Sequence, residues 1–271
     1  MRITSLNPNP IAEVPYLNAG RGAGDFYEDR LPILEGTVNA LPEGVAAILA
    51  TGDLQFRERF EDSTGGPLRL LGEVLPDRLR EEILPKFDLP DGEVGVCLAG
   101  DFYTVPALDS RGGSGDVTAV WEAFIEVFDW VAGVAGNHDT FGSSVKPRAW
   151  MQHLKNVHYL DGDCARRGEL KLGGVGGIVG NRRKPQRKTE SDYLKALESV
   201  LSQSPDILLM HDGPNGSEKQ RGSRSIRETI EQASPQLIIR GHAHWHDPLA
   251  TLDNGTQVLN VDARLVVLRT G

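Results

Sequence analysis

The run "VAAILATGD" (Val45–Asp53) is apolar at almost every position until it closes on Thr-Gly-Asp. A strand with one face in water alternates apolar and polar residues. A short unbroken apolar run instead reads as a strand buried on both faces, which points to a layered α/β protein. The same construction recurs along the chain. "VGVCLAGD" ends on Asp101, "WVAGVAGNHD" runs into Asn137 and His138, "DILLMHDGP" delivers His211, and "QLIIRGHAH" delivers His242 and His244. In such proteins ligands collect at the carboxyl ends of strands. Five strand ends that each present Asp, Asn or His therefore form a candidate metal site. Histidine is scarce, with seven in the chain, yet His242, His244 and His246 fall within five residues.

Helical patterns fill the gaps. "VTAVWEAFIEVFDW" places Val117, Trp121, Phe124, Ile125 and Phe128 on one stripe, and "SDYLKALESVLSQSP" repeats the pattern through Leu194, Leu197 and Leu201 before Pro205. "PLRLLGEVLPDRLREEIL" reads as two helices interrupted at Pro76. Ser225 and Glu228 have capping-box spacing. Asn254-Gly255 signals a hairpin leading into one strand-like run, "TQVLNVDARLVVL". The expectation is one domain over residues 1–271. Within it, residues 1–44, rich in Pro, Asn and Gly, form an irregular N-terminal arm, and "LDSRGGSGD" (108–116) is a loop.

With 271 residues, 39% hydrophobic and 25% charged, the composition is that of a soluble globular chain with a substantial core. A net charge of −9 argues against bulk attraction to nucleic acid. Cys97 and Cys164 are far apart and lie in no CxxC pattern, so nothing suggests a disulfide framework or a thiolate zinc site. The N-terminus lacks the apolar core of a signal peptide, and no apolar run approaches the ~20 residues of a membrane span. The expected location is the cytoplasm, with no membrane partner.

In order, the strand ends read "GD", "GD", "GNHD", a lone His and "GHAH". This order resembles the calcineurin-like metallophosphoesterase superfamily over about residues 45–262, with "GNHD" plus "GHAH" as the specific part. The resemblance implies a four-layer α/β/β/α sandwich of two mixed β-sheets flanked by helices. It also implies a hydrolase acting on phosphate esters, a phosphodiesterase or phosphatase. Two metals ~3.5–4 Å apart would activate a bridging water or hydroxide and stabilise the phosphoryl oxygens. By position, Asp101 resembles the bridging carboxylate. Asp53, Gln55 and His244 resemble the first metal's ligands; Asn137, His211 and His242 resemble the second's. His138 is similar to the family's non-ligand histidine, which assists the leaving group or steadies transition-state charge.

Two departures bear on the chemistry. The family's first motif is Asp-x-His, whereas "GDLQF" places Gln55 at the histidine position. A carboxamide oxygen is a harder, weaker ligand than imidazole, which favours Mn²⁺, with Fe, Zn²⁺ and Mg²⁺ as alternatives. Protein phosphatases of the superfamily carry a further Asp where this chain has Thr104, and they read GNHE. A small phosphate ester, nucleotide-like in character, is therefore the expected substrate.

The basic run "GNRRKPQRKTE" has two readings. It is a solvated charged loop, or Arg182 and Arg183 grip substrate phosphate oxygens. Arg221, Arg224 and Arg227 could extend such a rim, and Asp139 and Asp212 could orient neighbouring histidines. His246, His153 and His158 have no assigned role. Two other functions stay open: a non-catalytic metal-binding or protein-binding platform, its first site degraded by Gln55, and a nuclease using the basic loop.

Overall fold

Alternation explains why residues 45–52 are apolar throughout. In the computed structural model, Ala47 and Leu49 pack toward one layer and Ile48 and Ala50 toward the opposite one. The structure describes residues 1–20, 25–58, 68–109, 112–142, 151, 154, 156–217, 219–233 and 235–271. In chain order the strands begin with β1 (Ile3–Leu6), β2 (Ala12–Ala19), β3 (Phe26–Val38), β4 (Val45–Gly52), β5 (Arg57–Glu58), β6 (Glu93–Leu98) and β7 (Gly115–Asp116). They continue with β8 (Trp130–Gly133), β9 (Asp139–Thr140), β10 (Val157–Tyr159), β11 (Asp163–Arg167), β12 (Leu170–Val175) and β13 (Ile178–Val179). The last are β14 (Arg187–Lys188), β15 (Ile207–Met210), β16 (Leu237–Arg240), β17 (Leu249–Thr251), β18 (Gln257–Asn260) and β19 (Arg264–Thr270). Helices α1 (Leu71–Arg78), α2 (Thr118–Val127), α3 (Glu190–Leu201) and α4 (Arg224–Glu231) separate them.

Among the described residues, one mixed sheet runs β10-β8-β6-β4-β19-β3-β2-β5, with β1 paired to β3. The other runs β11-β12-β15-β16-β18-β17, parallel through its four central strands and antiparallel at both edges. Ile48, Cys97 and Trp130 of the first sheet pack on Leu172, Leu209 and Ile239 of the second. Leu75, Trp121 and Phe124 cover the outer face of the first sheet, while Tyr193, Leu197 and Ile230 cover that of the second. The result is the expected order of layers: helix, sheet, sheet, helix.

Four local expectations are corrected. Residues 1–44 are not an irregular arm, because they supply β1, β2 and β3 of the first sheet. Val14 and Tyr16 of β2, and Leu31 and Ile33 of β3, turn into the core at period two. The Pro, Asn and Gly residues punctuate those strands and mask the period. The second correction concerns Pro76, which lies inside α1 and does not end it. The break falls one turn later, where the Leu79 N–H reaches the carbonyls of both Leu75 and Pro76 and the chain continues as a π turn over Leu79–Ile83. The third is the cap of α4. Ser223 Oγ accepts from the Ile226 N–H at 3.3 Å, while Ser225 bonds Glu190 and Glu228 bonds Arg224.

The run "TQVLNVDARLVVL" is also two strands, not one. β18 belongs to the second sheet and β19 to the first, and the chain crosses between them at 261–263, where Ala263 has φ of 53°.

Candidate metal centre

The carboxyl ends of β4, β6, β8, β15 and β16 converge at one edge of the sandwich. Asp53 follows β4, Asp101 follows β6, Asn137 and His138 follow β8, His211 follows β15, and His242 follows β16. Three of these residues occupy the left-handed backbone region that non-glycine residues rarely adopt: Asp53 (φ 55°), Asp101 (φ 59°) and His242 (φ 69°). Such strain persists where surrounding contacts over-determine it, and it clusters at functional sites.

Those contacts are explicit. The Asp139 carboxylate accepts from the backbone N–H groups of Asp101, Phe102 and Gly136, each at 2.8 Å. This ties the turn after β6 to the turn after β8. The His138 N–H donates to Asp101 Oδ1 at 2.8 Å, and the His242 N–H donates to Asp53 Oδ2 at 2.9 Å. Gly136 sits so close to Asp101 that a Cβ there would lie 2.0 Å from Oδ1.

The side chains then meet. His211 Nδ1 is 2.8 Å from the Ala99 carbonyl, so it carries the proton donated there and leaves Nε2 facing inward. Nε2 lies 3.2 Å from Asp101 Oδ2 and 3.3 Å from Asn137 Oδ1. Ligand atoms of Asp101, His211 and His242 all fall within 4.8 Å of one another. Burial penalises a charged His211, but the adjacent Asp101 carboxylate outweighs it and pushes the ring up to about 10. Burial raises the Asp101 carboxyl, yet the His211 charge and hydrogen bond carry it below its ordinary value. Burial, and after it the charge of Asp262, holds the Asp53 carboxyl well above its ordinary value. Burial and the Asp101 charge push Asp139 up to about 6 against its backbone hydrogen bonds.

A cavity of about 360 Å³ opens over this cluster, lined in part by Asp53, Gln55, Asp101, His138, His242 and Asp262. The donor set fits divalent cations. It is oxygen- and imidazole-rich, with Asp53, Asp101, Asn137 and His211 buried and held on strand ends. His138 presents its ring to the cavity while its Nδ1 lies 2.5 Å from the Gly113 carbonyl.

Other sequence-predicted residues lie apart from this cluster. His244 is 59% exposed, with Nδ1 3.3 Å from Asp262 Oδ1 and Nε2 3.1 Å from Arg264 Nη2. Arg182 and Arg183 are exposed on the turn between β13 and β14, and Arg182 lies 3.6 Å from Asp192; neither lines the cavity. Arg224 pairs with Glu228, and Arg227 with Glu231 and Asp253. The Arg221 carbonyl accepts from Arg240 and Trp245. The Asp212 carboxylate accepts from the Val179 N–H, not from His211. His246 is fully exposed beside Asp247, and His153 lies outside the described residues.

Sequence reasoning passed over Asp262, which lines the cavity beside Asp53. A signal was available, because "QVLNVD" is a strand-like run ending in Asp. The apolar run that resumes at Leu265 concealed the strand end.

Comparison with known proteins agrees with this architecture. A family model described as calcineurin-like phosphoesterase matches residues 46–246. The solved structure of TT1561 from Thermus thermophilus superposes with a TM-score of 0.53 at 16% identity, covering 80% of this chain and 88% of that one. A second solved structure gives 0.50 at 18% identity, covering 79% and 90%. The sulfate thiohydrolase SoxB of Thermus thermophilus, solved with glycerol, aligns at only 0.41 and 17% identity, over 86% of this chain and 58% of that one. No curated protein matches the sequence.

Proposed function

Because the chain belongs to the calcineurin-like phosphoesterase family, we propose that it hydrolyses a small phosphodiester or phosphomonoester, nucleotide-like in character, with residues 1–271 acting as one domain. Two divalent cations, Mn²⁺ preferred, would be held by Asp53, Gln55, Asp101, Asn137, His211, His242 and His244, with Asp101 the carboxylate able to serve both. The observation that carries this reading is the convergence of Asp101, His211 and His242 ligand atoms within 4.8 Å beneath a cavity that His138 also lines. When bound, the cations supply positive charge against the phosphoryl oxygens and a water acidic enough to attack near neutral pH.

The chain's own groups do the rest. The Gly113 carbonyl accepts from Nδ1 of His138, which fixes the ring and leaves Nε2 as the nitrogen turned to the leaving oxygen. Asp101 keeps its negative charge despite burial because its Oδ1 accepts the His138 N–H and its Oδ2 faces His211. Asp139 fixes the two turns against each other, which holds Asp101 and His138 in register. Among the described residues no helix is long and apolar enough to cross a membrane.

The test is hydrolysis of a bis-aryl phosphate diester and an aryl phosphate monoester by metal-stripped protein, re-supplied in turn with Mn²⁺, Zn²⁺ and Mg²⁺. Turnover that requires metal and collapses in His138→Ala supports the reading, and the diester-to-monoester ratio sets the substrate class. Metal binding without turnover on either ester would favour the non-catalytic platform.

A further inference from the structure

The crossing from the second sheet back to the first delivers one more carboxylate to the cavity. β18 ends at Asn260 and β19 begins at Arg264. Between them Asp262 forms a parallel bridge to Gly52, the residue just before Asp53, and the Ala263 N–H donates to the Gly52 carbonyl at 3.1 Å. The rule that made the other strand ends candidates thus applies to a further one, which the topology seats directly against the first.

The surroundings of Asp262 define what it does. Its side chain is 13% exposed and lines the cavity with Asp53, Gln55 and Asp101. Asp53 and Asp262 repel each other across that wall. Gln55 brings only a neutral amide, and its nitrogen is buried without a partner among the described residues. Arg264, which also feels the Asp262 charge, turns its Nη2 to the Trp245 carbonyl at 2.7 Å and to the His244 ring. Two carboxylates and an amide therefore line a common space.

We propose that Asp262 is a ligand of the first cation position, supplying the negative charge that Gln55 lacks; this rests on the two-cation reading above. The position is then oxygen-rich, built from Asp53, Asp101, Asp262 and the Gln55 carboxamide, and hard donors of this kind select Mn²⁺ or Mg²⁺ over Zn²⁺. The contact between Asp262 and His244 Nδ1 serves the same end, since it holds the histidine at the rim of that position. A carboxylate that only oriented His244 would leave ion preference to Gln55 and His244 alone, and the experiment separates the two roles.

Metal-free full-length protein is titrated with Mn²⁺, and free ion is counted by electron paramagnetic resonance. Wild type binds two ions. Asp262→Asn, which keeps a hydrogen-bond acceptor for His244 but loses the charge, retains one ion at wild-type affinity and weakens the other by more than the ~10–100-fold typical of an orienting residue. Adding Gln55→His to Asp262→Asn restores a two-ion protein that Zn²⁺ loads in preference to Mn²⁺. Asp262→Glu, in which the charge is kept at longer reach, alters the affinity of that one ion and covers the case in which the asparagine variant fails to fold. Two ions bound at wild-type affinity by Asp262→Asn, or by Asp262→Glu should the first not fold, would overturn the assignment. So would a wild-type protein that takes up a single ion. Two-ion wild type that hydrolyses neither aryl phosphate would instead sink the phosphoesterase reading and leave Asp262 a ligand.

Discussion

His138 and His211 each commit Nδ1 to a backbone carbonyl, Gly113 and Ala99 respectively, but their free nitrogens meet different neighbours. His211 Nε2 faces Asp101 and Asn137 in the buried interior, whereas His138 presents its ring to an open cavity. Truncating each should therefore fail differently. His138→Ala is expected to lower kcat by ~10²–10⁴-fold, the usual weight of a positioned proton donor, with metal content unchanged in an atomic-absorption assay. His211→Ala should lose metal and activity together. If His138→Ala also loses metal, its assignment as a non-ligand is wrong. Cys97 gives a control within the apolar layer between the sheets. Burial pushes its thiol up to about 12, so it stays protonated at every pH where the fold is worked with. Iodoacetamide at pH 8 should leave it unmodified in the native protein and alkylate it only after denaturation. At this scale the sequence was most legible. Residue type and strand-end position singled out Asp53, Asp101, His138, His211 and His242, all of which the fold brings to the same edge. Asp139 was legible only as a neighbour of His138, because its three N–H contacts come from turns far apart in sequence.

Elements decide whether those residues meet, and two glycines show how. Gly136 lets the turn after β8 lie against Asp101, and Gly95 in β6 lies beneath the Trp130 ring, where a Cβ would fall 1.9 Å from ring carbons. Overpacking of this kind costs ~1–3 kcal/mol, so both Gly136→Ala and Gly95→Ala should lower Tm. Only Gly136→Ala displaces Asp101, so only it should also weaken Mn²⁺ binding measured by calorimetry. Equal effects on binding would mean that the turn is not what positions the carboxylate. Strands with two buried faces announced themselves through continuous apolar runs. β2 and β3 did not, because Pro15 and Pro32 interrupt an alternation that is nonetheless present at Val14, Tyr16, Leu31 and Ile33. The π turn after α1 and the Ser223 cap depend on where a helix starts and how it adjusts its register, which local spacing does not fix.

At the scale of the whole molecule, the cluster joins two sheets that are otherwise held by an apolar interface. Asp53, Asp101 and Asn137 come from the first sheet, His211 and His242 from the second. The pairing of the sheets was not legible from any single segment, since it depends on the crossing at Val261–Ala263, which the sequence disguises as one strand. The arrangement has a thermodynamic consequence. An ion that binds the assembled cluster but not the unfolded chain stabilises the native state, by ~2.7 kcal/mol at a free concentration of 100 Kd. For a chain of this length each kcal/mol raises Tm by roughly 2–4 °C, so saturating Mn²⁺ should raise it by roughly 5–10 °C. Because the ligands span the sheets, the gain should be accompanied by slower amide exchange at the carboxyl ends of β6 and β15 together. Asp101→Asn, which removes the carboxylate facing His211, should abolish both effects. An ion that bound tightly while changing exchange on one sheet alone would place the site within that sheet, and the picture of a clasp between the two would be wrong.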